Sequence, residues 1–207
     1  MTGGPRSTVL LVRHGQTDAV GEWLAGRSEG VPLNQAGRAQ AERLRTRLSS
    51  VNIAAIYSSP LQRAIETAGP LARERGLPVE PRLELSEVDF GDWSGQRFES
   101  LTADPRWTRF NSYRSMADVP RGERALDVQA RIIRTLDALR LAHPGQTIVC
   151  VSHADVIRLA VLHIAGAPID FIHRFDITPA SVTAVALSEA AASLLYVNER
   201  DPMTNGI

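Results

Sequence analysis

The sequence contains no lysine: all 23 of its basic residues are arginine, and 23 acidic residues balance them. Without lysine the chain cannot form a Schiff base with a carbonyl substrate, and it has no Walker-type phosphate-binding lysine. A formal net charge of zero argues against a nucleic-acid coat or a polybasic membrane binder, because both need an excess of basic residues. We therefore expect neither a nucleic-acid partner nor a membrane partner.

Cysteine and long apolar segments are also scarce. Cys150 is the single cysteine and lies in the apolar run 148–151, so we expect no internal disulfide and a buried, inert thiol. No segment approaches ~18 uninterrupted apolar residues, which predicts no transmembrane helix. The first apolar run, 9–12, is too short for the core of a signal peptide. These features predict a cytoplasmic location.

The remaining composition is that of a globular domain, with 43% hydrophobic and 22% charged residues. Those fractions exclude a disordered, collagen-like or coiled-coil chain. A length of 207 residues favours one core over two, and no linker, repeat or low-complexity segment divides the chain. We predict a single domain over residues 1–207, with an irregular, partly helical excursion around residues 96–121.

Strand-like and helix-like segments alternate along the chain. Short runs of apolar and β-branched residues predict buried strands at residues 8–12, 53–57 and 147–151, and two further strands at 181–187 and 193–197. Apolar spacing predicts helices that begin near residues 34, 60, 125 and 156. This alternation predicts an α/β fold, a three-layer sandwich with a mostly parallel mixed sheet and helices on both faces.

Two local boundaries follow from turn and cap chemistry. Ser59 followed by Pro60 predicts an N-cap and a first helical residue, because serine caps helix starts and proline is accepted at their first position. The same helix is predicted to end near Gly76. The segment 79–85 is predicted to be extended.

Histidine and arginine follow the predicted strands. Arg13 and His14 come directly after the first strand, His153 comes after the third, and Arg63 lies one turn into the helix after the second. In parallel sheets ligands bind beyond the carboxyl ends of the strands, so we expect these side chains to converge. Each residue alone more often has a structural role, but their joint placement indicates a site.

An anion suits such a site better than a metal ion. Guanidinium forks grip phosphate oxygens in pairs and repel divalent cations, and nearby helix N-termini add positive potential. A neutral imidazole nitrogen in a phosphate pocket can attack phosphorus, while the arginine pair and the second histidine would stabilise charge on the transferring oxygens. The sequence therefore predicts a phosphoryl-transfer site with no metal and no other cofactor.

A leaving oxygen also needs an acid. Glu87 follows the extended segment and precedes Phe90 and Trp93, whose rings could desolvate it. Desolvation raises the pKa of a carboxyl group and suits a general acid. The alternative for this segment is a solvated acidic loop.

Four motifs carry a resemblance to a known family. They are Arg13-His14-Gly15, Ser58-Ser59-Pro60-Leu61-Gln62-Arg63-Ala64, Glu87 with Phe90-Gly91-Asp92-Trp93-Ser94-Gly95, and Val151-Ser152-His153. Together, and in this order, they closely resemble the histidine phosphatase superfamily, which includes cofactor-dependent phosphoglycerate mutases. The resemblance extends from about residue 8 to residue 185.

The resemblance implies a phosphoglycerate mutase-like fold and a division of roles. It implies that His14 becomes phosphorylated and that Arg13, Arg63 and His153 form the phosphate pocket. It also implies that Glu87 donates a proton and later activates water.

Neighbouring residues are expected to contact the substrate. Besides Arg13 and Arg63, the predicted substrate-binding residues are Gln16, Thr17, Gly26, Arg27 and Ala154. Arg27 lies where relatives approach the substrate, and the alternative is a solvated loop arginine. Three positions depart from the family pattern: relatives often have glutamate at Gln16, asparagine at Val20 and glycine at Ala154.

Loops over the scaffold are expected to set substrate selectivity, namely residues 21–31 and 98–121. In the second of these, four side chains could form a lid with an aromatic floor and an anion contact: Trp107, Phe110, Tyr113 and Arg114. We expect at least two of them to pack against the sheet instead.

Three functions are compatible with these residues. The first is a phosphatase that hydrolyses a small phosphorylated metabolite through phosphohistidine on His14. The second is a phosphoglycerate mutase-type transfer, which needs a second anion site and exclusion of water; Val20 and the absence of lysine argue against it. The third is a non-enzymatic protein that binds a phosphate ligand, which the intact set of catalytic residues opposes. The physiological substrate and the formation of a homodimer stay open.

Overall fold

The computed structural model describes residues 4–200, which contain a six-stranded sheet. The strands are β1 (Ser7–Arg13), β2 (Ile53–Ser58), β3 (Val79–Pro81), β4 (Thr147–Ser152), β5 (Val182–Leu187) and β6 (Ala192–Glu199). Their order across the sheet is β3-β2-β4-β1-β5-β6. The first four strands in that order pair in parallel, and β5 runs antiparallel to both of its neighbours.

Helices cover both faces of this sheet. They are α1 (Gln35–Arg47), α2 (Gln62–Arg75), α3 (Phe98–Thr102), α4 (Pro105–Ser112), α5 (Ala125–Ala142) and α6 (Ala154–Ile164). Apolar residues of α1 and α2 pack in one cluster with the sheet, whereas those of α5 and α6 pack in the other. The predicted three-layer α/β sandwich with a mostly parallel mixed sheet is confirmed.

Strand β1 shows how one segment serves both cores. Leu10 and Val12 contribute to the cluster with α1 and α2, while Val9 and Leu11 contribute to the cluster with α5 and α6. Because successive side chains point to opposite faces, a strand buried on both sides carries no polar alternation. As predicted, Cys150 is buried, and burial raises the pKa of its thiol to about 12.

The ends of the first two helices follow from cap chemistry. Asn34 accepts a hydrogen bond from the backbone N–H of Gly37 at 2.9 Å and so satisfies a donor in the first turn of α1. Gly76 ends α2 in the left-handed conformation, with φ of 63°, which suits a residue without a Cβ atom.

The predicted start of α2 is wrong by two residues. The helix begins at Gln62, with Leu61 as its N-cap residue. Ser59 instead extends the strand pairing, because its backbone N–H donates to the Val151 carbonyl at 2.9 Å. Pro60 therefore lies in the turn before the helix. The Ser59 hydroxyl contacts His153 instead.

The predicted extended segment 79–85 is also only partly correct. Strand β3 ends at Pro81, and the backbone N–H of Arg82 makes a last bond to the Ser58 carbonyl at 2.8 Å. The chain then forms a single 3-10 turn over Leu83–Leu85 that buries Leu85 completely. Glu87, which lines the cavity described below, follows two residues after this turn.

The excursion is helical, as predicted, and is held by an aromatic cluster. Trp107 and Phe110 of α4 lie 5.3 Å and 5.5 Å from Trp93, measured between ring centroids. The Trp93 indole donates to Asp104 at 3.1 Å, and Asp104 also caps α4. Phe110 therefore belongs to the core and Trp107 packs against it, while Tyr113 is half exposed.

Across residues 4–200, every helix is too short or too polar to cross a membrane. The assignment of residues 1–207 to a single domain stays a prediction, and its first three and last seven residues lie outside the described part.

The contact between α1 and the loop after β1 gives a stability prediction. A Cβ atom on Gly37 would lie 2.0 Å from the Gln16 carbonyl oxygen. Because the contact is to backbone, the loop or the helix must shift, and we expect Gly37→Ala to lower the free energy of unfolding by about 1–3 kcal/mol. Urea unfolding checks this against Ala39→Ser, an exposed position of the same helix. Equal stability of the two variants would contradict the close approach.

Candidate active site

The register of the central strands brings the predicted residues to one edge of the sheet. Arg13 pairs with Ser152 at the ends of β1 and β4, so His14 and His153 emerge side by side. Their ring centroids lie 5.2 Å apart. The expected convergence of the strand ends is confirmed, with Arg63 joining from the first turn of α2.

His14 is held in one tautomer. Its Nδ1 atom lies 2.7 Å from the Gly15 carbonyl oxygen, and a carbonyl only accepts, so Nδ1 carries the proton. Burial, reinforced by Arg63 and Arg13, lowers the pKa of the ring well below its usual value. The imidazole is therefore neutral, and its Nε2 atom keeps a lone pair.

His153 is oriented by a different pair of contacts. Arg63 Nη2 lies 3.4 Å from His153 Nδ1, and a guanidinium only donates, so the Nδ1 atom accepts. The Nε2–H group then donates to the Ser59 hydroxyl at 2.8 Å. Burial is the main cause of a strongly lowered pKa for this ring, with Arg63 adding to it.

Arg63 is buried with donors to spare. The residue is only 2% exposed. Its Nη2 atom donates to the Gly26 carbonyl at 2.6 Å. The Nε and Nη1 atoms are buried without a hydrogen-bond partner among the described residues. Unpaired buried donors are costly, so such groups require an explanation. A bound anion at this position supplies one.

Arg13 adds a second buried guanidinium. Its Nη1 atom donates to the Ile177 carbonyl at 2.6 Å, whereas Nε has no partner in the part of the chain that the structure describes. Burial lowers the pKa of Arg13 to about 10, so it stays charged at neutral pH. Both arginines line the same cavity as His14.

Glu87 lines this cavity too. Burial, and to a smaller extent the charge of Asp155, raise its pKa to about 7. One carboxylate oxygen accepts from the Val88 backbone N–H at 2.9 Å. A carboxyl group that titrates near neutral pH is suited to give and to take a proton.

Asp155 belongs to a buried ion-pair network that the sequence analysis did not assign. Arg114 donates to it at 2.7 Å and Arg158 at 3.0 Å. These two arginines outweigh burial and hold the pKa of Asp155 well below its usual range. The i,i+3 spacing of Asp155 and Arg158 on α6 was a local signal for one pair; Arg114, 41 residues away, carried none.

Arg114 therefore does not act as the anion contact that was considered for the excursion. It is 3% exposed, and its guanidinium stacks over the Phe110 ring at 4.0 Å as well as binding Asp155. The excursion is thus tied to the start of α6, next to His153.

The predicted substrate-binding residues divide into two groups. Those that line the cavity are Arg13, Thr17, Gly26 and Arg63, and those outside its lining are Gln16, Arg27 and Ala154. Gln16 is used structurally, because its backbone N–H donates to the Gln40 side chain at 2.7 Å. Thr17 is buried, and its hydroxyl has no partner in the described chain.

Arg27 is held by acidic partners. Its Nη2 atom donates to Glu123 at 2.8 Å, and its Nε atom donates to the Glu87 carbonyl at 2.8 Å. Asp89 lies 3.9 Å from the same guanidinium. This arrangement fixes the backbone of Glu87, and a role for Arg27 as a second anion contact stays a prediction.

The donor set of the site fits an anion rather than a cation. Two buried guanidinium groups face one carboxylate. No three metal-ligating side chains come together anywhere in residues 4–200.

Comparison with known proteins agrees with this geometry. A family model described as the histidine phosphatase superfamily (branch 1) matches residues 9–200. The chain belongs to the histidine phosphatase superfamily.

Several relatives of this superfamily member carry phosphatase names. The adenosylcobalamin/alpha-ribazole phosphatase of Escherichia coli is 29% identical over 192 residues, which cover 92% of this chain and 95% of the relative. The crystal structure of a phosphoserine phosphatase mutant from Entamoeba histolytica has a TM-score of 0.84 and 26% identity, covering 93% of this chain and 96% of that one. These similarities show a phosphoglycerate mutase-like fold.

Two further similar proteins differ in how much of their own length this chain covers. The structure of Bacillus stearothermophilus YhfR has a TM-score of 0.89 and 29% identity, and the match covers 94% of this chain and 98% of that one. A bifunctional protein of Mycobacterium tuberculosis is 34% identical over 200 residues. The chain spans only 55% of the length of that relative.

The raised pKa of Glu87 has a consequence for stability. The group has a usual pKa of 4.5 and a folded pKa of about 7, so between these values the folded chain binds more protons than the unfolded chain. Stability contributed by the protonated form is present below pH 4.5 and is lost as the pH rises through 7. Glu87→Gln removes this loss, and its advantage in unfolding free energy over the wild type should grow by about 2–3 kcal/mol between pH 5 and pH 8.

Urea unfolding of both proteins at the two pH values measures this change. Glu189→Gln, at an exposed position in the turn between β5 and β6, should show a constant difference from the wild type. A Glu87→Gln advantage that does not grow with pH would contradict the raised pKa.

Proposed function

We propose that this chain is a phosphomonoesterase that hydrolyses a small phosphorylated metabolite through phosphohistidine on His14. One observation carries the proposal: a neutral histidine with a free Nε2 lone pair shares its cavity with a buried arginine whose Nε and Nη1 donors are unpaired in the described chain. Such donors suit phosphate oxygens. Membership of the superfamily and the phosphatase names of relatives support the same function.

The first step transfers the phosphoryl group to the enzyme. His14 Nε2 forms a bond to phosphorus while the ester P–O bond breaks, and the electron pair of that bond goes to the leaving oxygen. Glu87, protonated at neutral pH in a substantial fraction of molecules, gives its proton to that oxygen. The products of this step are a free alcohol, phosphorylated His14 and ionised Glu87.

The second step returns the enzyme to its starting state. Ionised Glu87 takes a proton from a water molecule as the water oxygen bonds to phosphorus. The P–N bond breaks, and its electron pair returns to His14 Nε2. Inorganic phosphate leaves, and Glu87 is again protonated.

Arg13 and Arg63 stabilise both steps electrostatically. Each is anchored by one donor to a backbone carbonyl, at Ile177 and Gly26 respectively, so it is positioned before the substrate arrives. Preorganised donors stabilise developing charge without reorganisation during the reaction. The buried pair favours a dianionic phosphate because that ligand relieves the repulsion between the two guanidinium groups.

Hydrolysis is favoured over mutase chemistry by the charges around the site. A mutase must hold an intermediate with a phosphate at each end. Three arginines could form a second anion site, and each already binds a carboxylate. Arg27 binds Glu123 and Arg114 binds Asp155. Arg121 pairs with Asp92. Water therefore has no ordered competitor for phosphorylated His14.

We expect a covalent intermediate on His14. Protein quenched in acid during turnover of a labelled phosphoester should retain an acid-labile phosphoryl group on this residue. His14→Ala should lose the label and reduce kcat by on the order of 10³ or more, since it lacks the nucleophile. His163→Ala, at an exposed position on α6, should behave as the wild type. Full turnover by His14→Ala would overturn the proposal.

The same assay separates a phosphatase from a mutase. Incubation with 3-phosphoglycerate, with and without a bisphosphoglycerate primer, is followed by measuring 2-phosphoglycerate and free phosphate. The phosphatase proposal predicts that any phosphate released from 3-phosphoglycerate does not depend on the primer, and that the release survives a chelator. Isomerisation that needs the primer and outpaces phosphate release would support the mutase instead.

We expect Glu87→Gln to discriminate between leaving groups. An alkoxide is a poor leaving group and needs a proton, so kcat/KM for an alkyl phosphate should fall by on the order of 10²–10⁴. An aryl phosphate should lose far less. For the wild type, kcat/KM for the alkyl substrate should decline above about pH 7 as Glu87 ionises, and the variant should lack this decline. Equal losses on both substrates would mean that Glu87 is not the acid.

A further inference from the structure

One wall of the catalytic cavity is apolar. Beyond the phosphate-binding residues, the cavity is lined by Val20, Trp23, Leu24 and Phe98. Three of these side chains, Val20, Trp23 and Phe98, are only half buried, so part of their apolar surface faces open space. In the described chain, the charged residues that line the cavity are the catalytic ones: Arg13, Arg63 and Glu87.

Backbone hydrogen bonds hold this wall in place. Two segments, 22–24 and 95–98, run antiparallel through a bridge between Trp23 and Arg97. Leu24 exchanges two bonds with the facing segment: its N–H donates to the Gln96 carbonyl at 2.9 Å, and its carbonyl accepts from Gly95 at 2.8 Å. The Phe98 N–H donates to the Glu22 carbonyl at 3.3 Å. The wall is therefore largely formed before a ligand binds.

Cations around the cavity are engaged with carboxylates. Arg27 binds Glu123 at 2.8 Å, and Arg97 lies 3.8 Å from Glu22. A second anionic group on a substrate would thus meet apolar side chains or arginines that acidic neighbours already neutralise.

We infer that the substrate is a phosphomonoester of an uncharged, largely apolar alcohol, whose aryl or alkyl part lies against Val20, Trp23 and Phe98. This inference rests on the proposed function and names its substrate class. Apolar surface buried against the wall favours such an alcohol. A carboxylate placed there would lose its hydration without gaining a partner.

A matched panel of alkyl phosphates tests the inference. The three substrates are 2-phenylethyl phosphate, 2-hydroxyethyl phosphate and 3-phosphoglycerate, whose alcohols are apolar, polar and anionic. All three alcohols are poor leaving groups, so each needs a proton from Glu87 to a similar degree. We expect kcat/KM for 2-phenylethyl phosphate to exceed that for 2-hydroxyethyl phosphate by about tenfold or more, with 3-phosphoglycerate the poorest of the three.

Variants of the wall should change this ranking. Phe98→Ala should lower kcat/KM for 2-phenylethyl phosphate by about tenfold and leave 2-hydroxyethyl phosphate within about twofold. Val20→Arg adds a cation without an arranged partner, and it should improve 3-phosphoglycerate relative to 2-phenylethyl phosphate by about tenfold. This gain cannot result from misfolding. Leu195→Ala, on β6 and half exposed, is the matched control and should keep the wild-type ranking.

The outcomes separate this inference from the proposed function. Absence of phosphate release from all three substrates would overturn the proposed function itself. Release that is as fast from 3-phosphoglycerate as from 2-phenylethyl phosphate would overturn only the inference. A Phe98→Ala loss that is equal for the apolar and polar substrates would do the same, because it would show that Phe98 supports the fold and not the alcohol.

Discussion

Two guanidinium groups buried beside two histidines are the constraint on which the site depends. Arg13 and Arg63 are each fixed by a short bond to a backbone carbonyl, at Ile177 and Gly26. Burial of like charges is unfavourable without compensation, and it keeps both histidines neutral. The same electrostatics leaves His14 with a nucleophilic lone pair and favours an anionic ligand, so the proposed binding and the proposed chemistry have a single physical origin.

A second set of charges, around Asp155, lies close enough to the first to influence it. Asp155 is ionised because Arg114 and Arg158 bind it, and its negative charge helps burial to raise the pKa of Glu87. Arg114 comes from the helical excursion and is stacked on Phe110. The excursion therefore does more than cover the sheet: it supplies one of the two cations that bind Asp155, two residues after His153.

Much of this arrangement was predictable because it depends on local patterns. Strands buried on both faces have uninterrupted apolar runs, and parallel pairing then places their carboxyl ends together. These patterns predict that His14 and His153 lie at adjacent strand ends. The local pattern fails at Ser59, where a good capping residue makes strand hydrogen bonds and receives the Nε2–H of His153 instead. Local propensity was overridden by a partner 94 residues away.

The sequence by itself determined the layers of the fold, the strand ends and the identity of the residues proposed to carry the chemistry, because periodicity and motif spacing are encoded over short stretches. Only the tertiary structure decided the protonation states and the pairing of charges. The sequence does not reveal that Arg27 and Arg114 have acidic partners, yet each binds a carboxylate from a distant segment. Burial and long-range ion pairs depend on how the chain packs. The apolar wall of the cavity depends on packing too, because it forms where segments 22–24 and 95–98 meet.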